Sequence, residues 1–244
     1  MAISRTLDVE LPDHFDLLAY DQVMDLAVLW ANPNEPAAQW KVNSWFGFTA
    51  GWIGFAMRLR SAVEYNQEFG TLIALGSSPS RPVQYSQERA FFGCVSSALS
   101  AIECFFLASY CLGNPVSKVH FPLAQAGHLK KYPRDVATAY VIFAPDDPFS
   151  VQLSAIANSP KFESLSNLRN SLAHRGALPR KAFLSNFADI PAAIPSNPKA
   201  LALDFTHDAS MSDETTAEHV RWTVQELSLL TAEFLNFLRR QSTP

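Results

Sequence analysis

ERAFFGCVSSALSAIECFF, residues Glu88–Phe106, is the stretch on which the reading of the whole chain turns. At 100° per residue, Phe92, Val95, Leu99, Ile102, Phe106 and Tyr110 fall on one apolar stripe, so a helix is expected over 86–112. Gly113-Asn114-Pro115 directly follows and reads as its stop, with Gly113 in the C-terminal position that helices favour. Glu88 and Glu103 share that stripe. A carboxylate surrounded by the apolar neighbours of Glu103 needs a cation, a set of donors or a proton, unless it lies at the stripe's edge and reaches water.

Working outward, the same period recurs nearly everywhere, which predicts an all-helical bundle of four to five antiparallel core helices. Further helices are expected over 13–30, closed by ANPNEP, over 39–69, closing before Gly70, over 161–174 and over 213–240. Residues 114–150 read as mixed, with short helical turns and the proline-broken APDDPF, and 191–208 as a long loop with one short strand. The organisation expected is one bundle domain over 41–244 preceded by a helical extension over 1–40. A chain of 244 residues with 48% hydrophobic residues can bury a sizeable core.

Composition narrows the function classes. A net charge of −4 excludes a generic basic coat for nucleic acid, so any such site must be local. Charged residues make up only 17% of the chain and aromatics 12%, which favours an oligomer. The first fifteen residues have no apolar run behind a basic start, and the uncharged run 42–57 is too short for a membrane span, so a cytoplasmic protein without a membrane partner is expected and the run reads as a buried helix. Cys94, Cys104 and Cys111 have neither the number nor the spacing of a disulfide framework or a zinc site, and read as small core residues. His120 and His128 lack nearby ligand partners, and Gly76–Ser80 (GSSPS) lacks the lysine and helix of a phosphate loop, so neither a metal nor a cofactor is expected.

The local site sits in SNLRNSLAHRG, Ser166–Gly176. On its helix Phe162, Leu165, Leu168 and Leu172 make the core face, Arg169 lies on the flank, and Asn170 and His174 share the polar side with Glu163. Arg169 and His174 stand about 140° apart on a straight helix and converge only if the last turn loosens or a second chain contributes. An arginine on one apolar flank and a glutamate on another suggest each other as partners, so Glu103 or Glu88 is expected to hold Arg169. The chemistry present is a histidine that titrates near neutrality, an arginine that can grip phosphate in a bidentate way, and an asparagine to orient either. Lys161, Arg169, Arg175, Arg180 and Lys181 against the single Glu163 make a cationic stretch in an acidic chain. The same residues also suit an ordinary helix C-terminus on dipole and capping grounds.

LRNSLAHR near the end of a late helix, after the long aromatic helix quoted above, resembles the HEPN superfamily, all-helical domains marked by Arg, four to six residues, then His, often with Asn after the Arg. The similarity covers about residues 85–180, with 213–240 as the closing helix, and is nearest to the larger stand-alone bacterial forms. The resemblance implies a metal-independent endoribonuclease in which two motif helices of a homodimer meet across a cleft. By it, His174 would be the base on the ribose 2'-hydroxyl, Arg169 would bind the scissile phosphate, and Asn170 would orient His174 or the phosphate. Lys161, Arg175, Arg180 and Lys181 would contact RNA, with Glu103 and Glu88 in support. It also implies a setting in phage defence or a toxin–antitoxin pair, with an antitoxin protein as partner. Two other readings stand beside it: a noncatalytic dimer that binds RNA or a nucleotide in the same cleft, and a helical interaction protein that works through the aromatic face from Trp45 to Phe55.

Overall fold

The computed structural model describes residues 12, 15–31, 39–74, 80–123, 130–174 and 213–241. Seven helices occur among them: α1 (Leu17–Ala31), α2 (Gln39–Ile73), α3 (Arg81–Val116), α4 (Pro133–Phe143), α5 (Pro148–Ala157), α6 (Pro160–His174) and α7 (Asp213–Gln241). There is no strand among the described residues, and the fold is an all-α bundle. The strand expected within 191–208, the loop at 76–79 and His128 lie outside the described residues.

The two longest helices, α2 and α3, run antiparallel and form the spine. They approach closely because Gly51 has no side chain. A Cβ at that position would sit 2.8 Å from the Cys104 carbonyl oxygen and 2.9 Å from the Ala108 nitrogen. Further along the same seam the Tyr65 ring lies over Gly93, and Gly54 faces the Cys104 thiol. Around this spine α7 packs on both α2 and α3, α1 lies on α7 with its Tyr20 ring stacked on Trp52 of α2, and α4, α5 and α6 pack on the remaining sides of α3 and α7. Phe105 marks the centre, where its ring meets Trp52 and Phe55 of α2, Phe149 of α5 and Phe234 of α7 at centroid distances of 5.6–6.4 Å. The stretch expected as an N-terminal extension contributes α1, whose Ala19, Val23 and Ala27 belong to this same core.

Several expectations need correction. Both α2 and α3 run past the stops read in the sequence. In α2, Gly70 is helical and the chain continues a further turn to Ile73, because Phe69 packs on Phe91 and Leu72 and Ile73 rest on the core. The Gln87 side chain donates to the Leu72 carbonyl at 2.9 Å and closes that end. In α3, Gly113-Asn114-Pro115 lies inside the helix. Proline at 115 cannot donate to the Cys111 carbonyl one turn back, which would leave a buried acceptor empty. Ser44 of α2 fills it, donating from Oγ at 2.7 Å. Asn114 then donates to the Phe121 carbonyl at 2.5 Å, and the Phe121 ring covers Gly113.

Residues 114–150, read as mixed, contain α4 and the start of α5. Pro133 and Pro148 open these helices rather than break them, since the first helical position needs no N–H. Asp147 caps α5 by accepting from the Phe149 N–H at 2.9 Å, and Arg240 near the end of α7 grips both its oxygens, at 3.0 and 2.8 Å. The run 42–57 is not buried all round: Phe48, Trp52 and Phe55 are in the core, whereas Phe46 and Met57 face solvent. So most of the aromatic face considered as a working surface holds the fold together. Phe92, placed on the core stripe from spacing, is 41% exposed, while Val95, Leu99, Ile102, Phe106 and Tyr110 are buried. Cys94 and Cys111 are core residues and Cys104 is half-buried. By length and composition α3 could cross a membrane, although most of its apolar window is buried inside the bundle.

Ser44→Ala leaves the Cys111 carbonyl buried and unpaired, and is expected to lower unfolding free energy by about 1–3 kcal/mol with an unchanged m-value in urea denaturation. Two glycines of α2 should respond in opposite ways to alanine. Gly51→Ala gains about 1 kcal/mol of helix propensity but drives a methyl into α3 backbone, so its net effect is a lower melting temperature. Gly70→Ala meets nothing within 4 Å and is expected to stabilise by about 0.5–1 kcal/mol. Equal shifts in the two melts would contradict the close crossing.

Candidate functional site

The motif lies on the second half of α6. Pro160 opens the helix, and the Ser159 hydroxyl accepts from the Phe162 N–H at 3.0 Å. Phe162, Leu165 and Leu168 bury against the core, and Leu172 packs at its edge. That leaves Arg169 on the flank toward α3, one-third exposed, and Asn170 fully on the solvent side. The backbone is helical through His174, so positions 169 and 174 remain about 140° apart around the axis. The His174 side chain and all of Arg175, Arg180 and Lys181 lie outside the described residues.

Arg169 meets Glu103. The guanidinium Nη2 is 3.7 Å from Glu103 Oε1, an ion pair without a hydrogen bond. Burial raises the Glu103 carboxyl above its ordinary value, and Arg169 only partly offsets that effect. The two are therefore loosely coupled: a guanidinium carries five donors, and one long contact to a reluctant carboxylate leaves it able to take a second oxyanion. Glu88 is fifteen residues before Glu103 on the same helix, about 22 Å along the axis, so one arginine cannot be held by both. The structure chooses Glu103.

Lys161 is in another place. It stands at the opposite end of α6, thirteen residues from His174 and so about 20 Å away along the axis. Its Nζ is paired with Glu218 of α7 at 3.1 Å. Together with Glu214, Arg221, Trp222 and Gln225 it lines a shallow cleft of about 410 Å3. Glu218 is held below the usual carboxylate range by the hydrogen bond from Lys161, while burial pushes the neighbouring His219 imidazole down. The cleft mixes cations and carboxylates in nearly equal number, so it is not a phosphate track. His219 is not singled out from sequence, since it follows Asp213-Glu214-Thr215-Thr216-Ala217-Glu218, a run with no apolar periodicity to signal burial.

What the sequence could not supply is the α2 side of the Arg169 region. Cys104 follows Glu103 directly. Burial raises its thiol, Arg58 of α2 lowers it and Glu103 raises it further, so all three groups share one neighbourhood. Arg58 is exposed, and among the described residues it makes no ion pair. By contrast Arg60, Arg89 and Arg240 each engage a carboxylate, those of Glu64, Glu68 and Asp147. No group of three or more His, Cys, Asp or Glu residues that could hold a metal occurs among the described residues. No family model, curated protein or solved structure matches the chain.

Because the folded state raises the Glu103 pKa, it binds that proton more readily than the unfolded chain, and this group's contribution to stability improves as pH falls through the raised value. Glu103→Gln removes the desolvation cost. It is expected to melt at or above the wild-type temperature at pH 7.5, with the gap closing toward pH 4 in paired thermal scans. A variant that melts well below wild type at pH 7.5 would mean that the pair with Arg169 outweighs burial.

Proposed function

We propose that the protein is an endoribonuclease of the HEPN type, active as a homodimer in the cytoplasm, which cuts RNA by attack of the ribose 2'-hydroxyl. The observation that carries this reading is the state of Arg169: an accessible guanidinium on the helix that bears Asn170 and His174, tethered among the described residues by one loose contact to α3 and able to receive a phosphate oxygen. The nucleophile is already part of the substrate, so the protein has to supply only a base and an electrostatic clamp.

In the proposed step His174 takes the 2'-hydroxyl proton, and the oxygen attacks the adjacent phosphorus. The bond from phosphorus to the 5'-oxygen breaks, the leaving oxygen acquires a proton, and the products are a 2',3'-cyclic phosphate and a 5'-hydroxyl. Arg169 offsets the charge that develops on the phosphoryl oxygens, and Asn170 orients the imidazole or the phosphate. The 140° between positions 169 and 174 argues for a second copy, since an arginine of one helix and a histidine of the other can face one phosphate across a twofold axis. DNA lacks the attacking hydroxyl and is not a substrate by this route.

The test is cleavage of mixed-sequence single-stranded RNA in EDTA, with end-group analysis. Wild-type protein is expected to leave cyclic-phosphate ends, His174→Ala to lose at least about 100-fold in rate, and Arg169→Ala to lose a comparable factor. Dimers by light scattering with no cleavage by any variant, but RNA binding that depends on Arg169, would establish the noncatalytic binding dimer in its place. A protein that neither cuts nor binds RNA would sink both.

A further inference from the structure

The outer face of α3 carries features that the motif does not account for. Two contacts fix how α2 and α3 slide against each other: Gly54 lies against the Cys104 thiol, and Gly93 lies under the Tyr65 ring. In that antiparallel register Arg58, one turn after Gly54, stands level with Ser100 of α3. Ser96, Ser100 and Glu103 fall within about 60° of one another on the helix wheel, so they share the strip of α3 left open between α2 and α6. The Oγ of Ser96, beneath the strip, is buried and has no hydrogen-bond partner among the described residues. Arg58 rises on the α2 side of the strip and Arg169 on the α6 side, one helix width apart, about 10 Å. Continuing toward the start of α3, the same strip presents Phe92, 41% exposed, and Tyr85, 69% exposed. Those rings lie about 12 and 22 Å along the axis from Ser100.

We infer that single-stranded RNA lies along this strip, its backbone gripped by Arg169 and then Arg58, with successive bases stacked on Phe92 and Tyr85. The inference rests on the reading of Arg169 as a phosphate-binding residue and adds Arg58, Phe92 and Tyr85 as substrate-positioning residues. Single strands are bound without strong sequence preference where cations track the backbone and exposed rings receive the bases, and both elements occur here on one face. An arginine without an ion pair among the described residues and two solvent-facing aromatics each carry little alone. Their alignment with Glu103 and Arg169 on one open strip is what calls for a common ligand. Ser100 between them is small enough to let a backbone approach the helix.

The experiment measures equilibrium binding of a fluorescein-labelled twelve-nucleotide single-stranded RNA by the full chain carrying His174→Ala, which prevents cleavage, over a salt series. Arg58→Ala is expected to weaken binding about 5- to 10-fold and to lower the slope of log K against log salt by about 0.7, the loss of one phosphate contact on a single strand. Phe92→Ser is expected to weaken binding about 5-fold or more with the slope unchanged, because stacking releases no counterion. Arg239→Ala, on α7 where its guanidinium meets Gln22 of α1 away from the strip, controls for net charge and is expected to change neither quantity. If Arg169→Ala weakens binding while Arg58→Ala and Phe92→Ser do not, the strip is wrong and the Arg169 reading stands. An effect of Arg239→Ala equal to that of Arg58→Ala would reduce the result to net charge and overturn the inference. Absence of RNA binding altogether, or binding indifferent to Arg169, removes the RNA reading and this inference with it.

Discussion

The fold depends on how closely α2 and α3 cross at Gly51. With a glycine there, the Cys104 carbonyl and the Ala108 amide come to within 3 Å of where a Cβ would stand, and the spine closes to backbone contact. That approach sets the depth at which Trp52 and Phe55 meet Phe105, hence where Phe149 and Phe234 must pack, and hence the positions of α5 and α7. It also fixes the facing of α3. With Cys104 turned to Gly54, Glu103 is left looking toward α6 from the edge of the core. A two-helix crossing at Cys104, the residue next to Glu103, thereby decides which residue Arg169 meets.

The same spine shows how tertiary contacts override local punctuation. Proline at 115 removes a donor, and a reading confined to α3 must end the helix before it. Ser44 is seventy-one residues earlier, yet its hydroxyl supplies the missing bond to Cys111 and the helix continues. Gly70 is tolerated in α2 for a comparable reason, since the hydrophobic gain from Phe69, Leu72 and Ile73 exceeds about 1 kcal/mol of lost helix propensity. Periodicity identified α2, α3, α6 and α7 because each buries a broad face at helical spacing. It missed α4 and α5 because each has only ten or eleven residues, too few to show a period, and each opens at a proline that by composition also reads as a breaker.

The site was legible to a different degree at each residue. Arg169 and Glu103 could be paired from their positions on two wheels, since a cation and a carboxylate on apolar flanks each require a partner. Glu88 satisfied the same wheel argument, and only the register between α3 and α6 separates it from Glu103. Lys161 was grouped with the motif because it is near in sequence, whereas the rise of 1.5 Å per residue carries it to the other end of α6 and into a pair with Glu218. Phe92 was assigned to the core because α3 was read as having one buried stripe. In fact α3 is buried on most sides, as a central helix must be, and the position left open cannot be found from an apolar count.

A central helix of this kind bears on function. Wrapped by α2, α4, α6 and α7, the middle of α3 reaches solvent along a narrow strip that passes between an arginine of α2 and an arginine of α6. Glu103 stands between them as the single nearby carboxylate identified, and burial already weakens its charged form. A fully ionised glutamate in bidentate contact would occupy one edge of the Arg169 guanidinium and offset its charge, which weakens its hold on an anion. A neutral residue would leave two guanidiniums unrestrained on flexible stems. A half-buried glutamate at 3.7 Å does neither: it holds Arg169 in place with a contact weak enough for an incoming phosphate, which can offer the guanidinium two oxygens at hydrogen-bonding distance, to displace.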